Sequence, residues 1–467
     1  MINKMRRKGT EIMEVTGKKV FVAGAGKSGI HAAKLLLGRG AQVILFDENT
    51  KETREALLEK LDGSPDVQIM IGALDESALE DTAFMVISPG IPVDAPFTEK
   101  FRERNIEIWS EIELAYRLSS GQLAAITGTN GKTTTTSLVG EIMKMWKDSV
   151  FVVGNIGIPY THVANDIRPD SMVVLEVSSF QLETIHEFAP KVSAILNLTP
   201  DHLNRHYTFE NYANTKLKIT MNQGESDICV LNYDDPVTRK MGEDLKAAGR
   251  PRVVYFSRLH NLDTGICIEE EQIVIRDAGK EISVLRLADI RLLGGHNIEN
   301  YMAAIGISYC MGVPVEIIEA ACKAFAGVEH RIEYVRTVNG VDYYNDSKGT
   351  NPDAAIKAVE AMVKPTILIG GGYDKQSAYD EWIDAFGDKV RDLVLIGVTA
   401  QAIAKTARDH GFTAIHFADS LEEAVKICAG LAGEGDAVLL SPACASWDMF
   451  KSYEQRGELF KEYVRAL

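Results

Sequence analysis

No stretch of this 467-residue chain approaches about 18 uninterrupted apolar residues, which excludes a transmembrane helix. Cysteine is scarce. The six residues, Cys229, Cys267, Cys310, Cys322, Cys428 and Cys444, never stand in C-x-x-C spacing. That scatter fits reduced thiols in a cytoplasmic protein better than a disulfide frame or a zinc site. Positive charge is in deficit: 50 basic against 66 acidic side chains give a net charge of −16. The balance argues against nucleic acid or an anionic membrane as a main partner, while a local basic pocket still admits a small anionic substrate. The segment Met1–Glu14 is basic but has no apolar run behind it, so it is not a secretory signal. Residues 1–15 read as a disordered leader.

Hydrophobic residues at 46% and charged residues at 25% are the proportions of a globular protein with substantial cores. At roughly 100–200 residues per domain, the length suggests three domains. A recurring pattern supports that number: a β-branched run, a glycine-rich turn, then a helical stretch. Lys19–Ala23 leads into Gly24-Ala25-Gly26-Lys27-Ser28-Gly29, Gln42–Phe46 ends at Asp47, and Phe84–Ile87 runs into Ser88-Pro89-Gly90. The pattern restarts at Leu123–Thr127, with further strands at Val150–Val153, Met172–Val177, Val192–Leu196, Ile228–Leu231 and Val253–Phe256. Ile266–Arg276 alternates and predicts antiparallel strands, and helical periodicity runs from His296 to about Cys310. A third start follows Gly327, with a hairpin over Ile332–Tyr344 turning at Asn339-Gly340, then strands at Thr366–Ile369, Leu393–Ile396 and Ala437–Leu440. The prediction is α/β, three domains in series. It has a Rossmann-like domain over 16–110, a central phosphate-loop ATPase domain with a mostly parallel sheet over 111–328, and a Rossmann-like domain over 329–467.

Gly128-Thr129-Asn130-Gly131-Lys132-Thr133 lies between an apolar strand and a helix, the context a phosphate loop requires. Glycines let backbone N–H groups converge on an anion, Lys132 reaches the β- and γ-phosphates, and the Thr133 hydroxyl can ligate Mg²⁺. Ile126 stands where the usual G-x-x-x-x-G-K-[ST] spacing wants glycine, so the loop is a shorter relative of that motif. Gly24-x-Gly26-x-x-Gly29 with Asp47 fits a dinucleotide fingerprint, another nucleotide's diphosphate, or tight helix–strand packing; a nucleotide-diphosphate substrate is favoured over a redox cofactor. Glu176 ends a buried strand, where a carboxylate can hold Mg²⁺ beside a phosphate loop, and His202 closes the following strand in the same way. Lys216, by periodicity and composition alone, reads as a solvated helical lysine. Cys444 has no assignable His partner and reads as buried structure.

Taken together, these segments resemble the Mur ligases, and within them the D-glutamate-adding MurD family. The resemblance runs from Gly24 to Gln455-Arg456-Gly457. Gly128–Thr133 identifies the superfamily shared with folylpolyglutamate synthetases. Leu175–Glu183, Asn345–Asn351 and Ser441–Ser446 are the more specific segments. The resemblance implies a UDP-sugar domain, a central ATPase and a mobile C-terminal domain. It also implies phosphorylation of the carboxylate of UDP-N-acetylmuramoyl-L-alanine by ATP, and attack of D-glutamate on the acyl phosphate, in cytoplasmic peptidoglycan precursor synthesis.

By motif match it implies ATP contacts from Gly128, Thr129, Asn130, Gly131, Lys132, Thr133, Thr134, Asn300, Arg331 and Asp346. Two Mg²⁺ ions fall to Thr133, Glu176, His202 and Lys216, the last as a carbamate formed from CO₂. UDP-sugar contacts fall to Gly26, Lys27, Ser28, Asp47, Ser88, Pro89, Gly90, Asn155, Ser178 and Gln181. D-Glutamate falls to Lys348, Thr350, Lys375, Ser446, Trp447 and Tyr453. Gly349 stands where the family pattern has alanine, and Tyr453 where it more often has phenylalanine. A monomer is expected, with neither nucleic acid nor membrane insertion. The alternatives are another Mur ligase or a folylpolyglutamate synthetase-like amide ligase, an NAD-dependent oxidoreductase built on Gly24–Gly29, and a non-catalytic nucleotide-binding regulator.

Overall fold

A computed structural model describes residues 12–64, 66–374 and 377–467. The expected leader therefore lies outside the described residues up to residue 11. Residues just after it are packed: Met13 N donates to Arg117 O at 2.9 Å, and Val15 is buried in the core. Met13 and Val15 pack there because these apolar side chains have a core to join. The described residues form two compact units. One extends to Arg286 and includes Glu299–Cys322; the other comprises Leu287–Ile298 and Lys323–Leu467.

The first unit contains two sheets. Its five-stranded sheet runs in spatial order Val67–Ile71, Gln42–Asp47, Lys19–Ala23, Thr82–Ile87 and Glu107–Ser110, all parallel. Its nine-stranded sheet places Gln122–Thr127 between Val192–Ile195 and Met172–Glu176, with Val150–Gly154 at one edge. Beyond Val192–Ile195 come Ile228–Asn232, Arg252–Phe256 and an antiparallel extension of Gly265–Glu269, Gln272–Asp277 and Lys280–Arg286. Inner strands such as Met172–Glu176 and Ile228–Asn232 are buried along their whole length, as parallel strands covered on both faces must be. In the second unit a six-stranded sheet runs Glu333–Val338, Val341–Asn345, Ala437–Leu440, Thr366–Gly370, Val390–Leu395 and Ile415–Phe417. Its first pair is the expected hairpin, with Asn339 at φ 51° and Gly340 at φ 78°, both left-handed as a tight Asn-Gly turn demands.

The loops after the parallel strands gather at one end of each sheet. The register sets Glu176 beside both Ile126 and Gly154. Both strands flanking the phosphate-loop strand follow it in the chain, Met172–Glu176 on one side and Val192–Ile195 on the other, so the strand order reverses there, the switch point where open α/β sheets bind ligands. All six cysteines are free; Cys310 is half-buried and the other five are buried. No helix among the described residues is long and apolar enough to cross a membrane.

Candidate active site

At the first sheet's switch point a cleft of about 490 Å³ is lined by Gly26, Lys27, Ser28, Asp47, Ser88, Pro89 and Gly90. Gly29 has no room for a side chain, since a Cβ there would stand 1.8 Å from Gly24 O. That close approach lets the helix Lys27–Gly38 seat against the strand end. Asp47 secures the turn: its Oδ2 accepts from Ala25 N at 2.6 Å and its Oδ1 from Asn49 N at 2.8 Å. Each oxygen can accept a further hydrogen bond, and Asp47 lines the cleft. Lys27 Nζ donates to Gly157 O at 2.6 Å, linking this glycine loop to the loop after Val150–Gly154.

The second sheet assembles the central residues. Gly131, at φ 83°, precedes the helix Lys132–Trp146, and a Cβ on it would meet Asn300 Oδ1 at 2.2 Å. Asn300 is thus pressed against the phosphate loop, and its Oδ1 accepts from Thr135 Oγ1 at 3.3 Å. Lys132 Nζ folds back to donate to Gly128 O and Thr129 O at 2.9 and 2.8 Å. Thr133 and Thr134 open the helix, with Thr134 buried.

Glu176 is 2% exposed. Its Oε1 accepts from Asn155 Nδ2 at 2.7 Å, while its Oε2 is buried without a hydrogen-bond partner. An unpaired buried carboxylate oxygen is costly unless something cationic or protic meets it. Lys216 is also only 2% exposed, which overturns its composition-based reading as a solvated lysine. The physical reason is local: Nζ donates to Thr127 Oγ1 at 3.2 Å and Gly128 O at 2.9 Å, and lies 4.9 Å from the Tyr212 ring centre. Burial, reinforced by the positive charge of Lys132, holds its amine well below the usual lysine range.

His202 is half-exposed at left-handed φ 52°, beside Asp201 at 3.4 Å and 4.9 Å from the Phe180 ring centre. Ser178 and Gln181 form a capping box on Ser179–Leu182, two residues beyond Glu176. A carboxylate, a hydroxyl and an amine able to become an anionic oxygen ligand form the hard donor set that suits Mg²⁺.

In the second unit Asp346 and its neighbours form a separate cluster. Asp346 Oδ2 accepts from Ser441 Oγ at 2.7 Å and Oδ1 from Ile332 N at 3.2 Å; burial pushes its carboxyl up to about 7. A Cβ at Gly349 would stand 2.4 Å from Asp346 Oδ2, so the glycine leaves room for this Asp–Ser pair. Arg331 is exposed, and its charge acts on both Asp346 and Tyr453. Lys348 Nζ lies 5.8 Å from the Tyr453 ring centre, and Thr350 N donates to Lys348 O at 2.8 Å. Buried Ser446 accepts at its carbonyl from Phe450 N at 2.8 Å. Trp447 is exposed, its ring 5.6 Å from that of Tyr373. Lys375 lies outside the described residues. The Cys444 thiol is buried against Tyr379 OH at 3.2 Å, as its structural reading expects.

Sequence reasoning missed three residues at the central site. Asn197 grips the peptide of Asn130 from both sides, with Oδ1 accepting from Asn130 N at 2.8 Å and Nδ2 donating to Asn130 O at 3.1 Å. Its position just past the strand Val192–Ile195 is the one signal that could have found it. Tyr212 OH pairs with Thr129 Oγ1 at 3.0 Å. His206 is buried, bonded to Ser179 Oγ at 2.9 Å, and nothing in the sequence separates it from a surface histidine.

Three family matches cover the chain in order: Mur ligase MurD-like N-terminal domain over residues 18–110, Mur ligase middle domain over 126–308, and Mur ligase glutamate ligase domain over 330–444. The chain belongs to the Mur ligase family. It is 52% identical over 455 residues to the UDP-N-acetylmuramoylalanine–D-glutamate ligase of Lachnoclostridium phytofermentans, covering 97% of this chain and 99% of that one. With the enzyme of the same name from Lachnospira eligens it shares 53% identity over 455 residues, covering 97% and 100%. The crystal structure of UDP-N-acetylmuramate-alanine ligase MurC from Thermotoga maritima has the same fold, with a TM-score of 0.58 at 19% identity over 96% of this chain and 99% of that one. These matches leave the dehydrogenase reading without support.

Proposed function

We propose that this protein is an ATP-dependent ligase that joins D-glutamate to UDP-N-acetylmuramoyl-L-alanine through an acyl phosphate, releasing ADP and phosphate. The observation that carries this reading is the meeting, beside one phosphate loop, of a buried carboxylate with an unpaired oxygen and a buried lysine whose amine is held toward neutrality. The identities of about 50% with D-glutamate ligases over nearly the whole chain support the choice of substrates.

The division of labour we propose follows 16–110 for the UDP-sugar, 111–328 for ATP, and 329–467 for D-glutamate and part of the nucleotide. The cleft at Gly26–Ser28 and Ser88–Gly90 offers helix-start N–H groups and Lys27 to a diphosphate. The loop Gly128–Thr133 wraps the ATP phosphates, with Lys132 turning from the carbonyls of Gly128 and Thr129 onto the γ-phosphate. Asn300, Arg331 and Asp346 hold the rest of the nucleotide. A substrate carboxylate oxygen attacks the γ-phosphorus and ADP leaves, which turns a poor electrophile into an acyl phosphate. The amine of D-glutamate, its carboxylates held by Lys348, Thr350, Lys375, Ser446, Trp447 and Tyr453, attacks that carbonyl. The tetrahedral species collapses with loss of phosphate and the amine proton.

Thr133, Glu176, His202 and a carbamate on Lys216 would hold two Mg²⁺ ions, which supply charge neutralisation around the transferred phosphoryl group. Carbamylation needs a neutral amine, and the surroundings of Lys216 favour one. The remaining assignments follow the same reading: a cytoplasmic monomer with neither nucleic acid nor membrane as partner. The test is phosphate release with UDP-N-acetylmuramoyl-L-alanine, ATP and Mg²⁺, comparing D-glutamate, L-glutamate and L-lysine. Release that depends on D-glutamate supports the proposal; release driven by L-lysine, or by no amino acid, overturns it.

A further inference from the structure

The helix Glu111–Leu118 begins with two buried glutamates that reach the same neighbouring segment in very different ways. Glu113 is fully used. Its Oε1 accepts from Arg117 Nε at 2.6 Å and Glu187 N at 2.8 Å, and its Oε2 from His186 N and Phe188 N at 2.9 Å each. That is a structural carboxylate, tying the chain over 186–188 to the helix start. Glu111, 1% exposed, has a single side-chain donor, Gln181 Nε2 at 2.6 Å, and its Oε2 is buried with no partner. Burial pushes its carboxyl above the usual range. A methionine or leucine would fill this space without a stranded polar atom, so packing alone is a poor account of a glutamate here.

What Glu111 does is hold one end of an amide. The other end of Gln181 is held by Ser178, whose N and Oγ both donate to Gln181 Oε1, at 2.8 and 3.0 Å. The carboxamide is therefore fixed in plane and polarity from both sides, and the Ser178 proton is directed inward. Half-buried Ser178 accepts from Gln181 N at 3.3 Å with one lone pair of Oγ, which leaves its second lone pair, suited to a substrate N–H rather than a substrate acceptor.

We propose that Glu111 is a positioning residue for the sugar-nucleotide substrate: through Gln181 it fixes Ser178 as a hydrogen-bond acceptor for an amide N–H of that substrate. The inference rests on the reading that Ser178 and Gln181 face the UDP-sugar substrate, and the test separates the two. Steady-state KM values for UDP-N-acetylmuramoyl-L-alanine and for ATP are measured for Glu111→Met, Glu111→Gln, Gln181→Met and the double variant Glu111→Met/Gln181→Met, with thermal melts of each. Glu111→Met is expected to raise the sugar-nucleotide KM about tenfold and leave the ATP KM unchanged, the size of effect seen when an orienting partner is lost. Glu111→Gln keeps an acceptor for Gln181 and should stay within roughly threefold of the parent. The double variant should be no worse than Gln181→Met, because the effect runs through Gln181.

A raised KM in Gln181→Met with none in Glu111→Met overturns the role of Glu111 and leaves the substrate reading standing. No change in either variant overturns the substrate reading, and the proposal with it. Equal rises in both KM values alongside a lowered melting temperature mark a purely structural residue, and also overturn the proposal. Should Glu111→Met not fold, Glu111→Ser, too short to reach Gln181, takes its place under the same criteria.

Discussion

Asn155 Nδ2 donates to Glu176 Oε1 at 2.7 Å, and this one bond leaves Oε2 as the unpaired, buried face of the carboxylate. The amide thus turns a symmetric ligand into a directed one. Asn155→Leu should raise the Mg²⁺ concentration for half-maximal phosphate release by about 10–100-fold, the usual cost of losing an outer partner of a metal ligand. A Mg²⁺ titration at fixed ATP, together with Mn²⁺ binding followed by paramagnetic resonance, measures it. An unmoved midpoint would refute the link.

Lys216 is buried among Thr127 Oγ1, Gly128 O and the Tyr212 ring, where an ammonium is disfavoured. Protein exposed to ¹³C-labelled bicarbonate should show a carbamate carbonyl resonance that Lys216→Arg lacks. That variant keeps the positive charge but cannot form the carbamate. Its turnover should fall by about 10²–10³-fold, as for loss of one electrostatic stabiliser of the transferred group.

Asn197 bonds both sides of the Asn130 peptide, so it holds the crest of the phosphate loop rather than touching phosphate through a charge. Replacing it with leucine should raise the ATP KM about five- to tenfold, since each net hydrogen bond contributes about 0.5–1.5 kcal/mol. The KM for the sugar-nucleotide should stay put. Parallel changes in both constants would show that the loop is held by other means.

Burial, with the nearby charges of Arg205 and His202, lowers the His206 imidazole from 6.5 to about 4. Between those values the unfolded chain binds a proton that the folded protein refuses, so stability falls as pH drops through this window. The margin by which the parent exceeds His206→Gln in urea unfolding should be widest above pH 6.5 and shrink toward about pH 4. A margin that is constant across that range would rule out His206 as the source.

Features written in adjacent residues were legible from the sequence: both glycine loops, the Asn339-Gly340 turn, and carboxylates closing apolar runs such as Met172–Glu176. Their chemistry and their position on an element come from the same few letters. The strand Lys280–Arg286 was not legible. Most of its residues lie partly or fully in solvent, and pairing with Gln272–Asp277 makes it a strand despite its charges. The burial of Lys216 was equally hidden, because its partners Thr127 and Gly128 lie 89 and 88 residues away in sequence. For the same reason Glu111 and Glu113 look alike in Ser-Glu-Ile-Glu-Leu, yet one is saturated with donors and the other is half stranded.

The scatter of thiols has a practical consequence. Five of the six are shut inside, distributed over both compact units, and burial pushes those of Cys229 and Cys322 up to about 12. A neutral alkylating reagent therefore finds little thiolate on the native protein, and modification must await a local opening. Mass spectrometry of briefly alkylated samples would then read, cysteine by cysteine, which layer loosens first on warming and which one bound nucleotide tightens. The native chain carries its own set of timers, with no engineered label required.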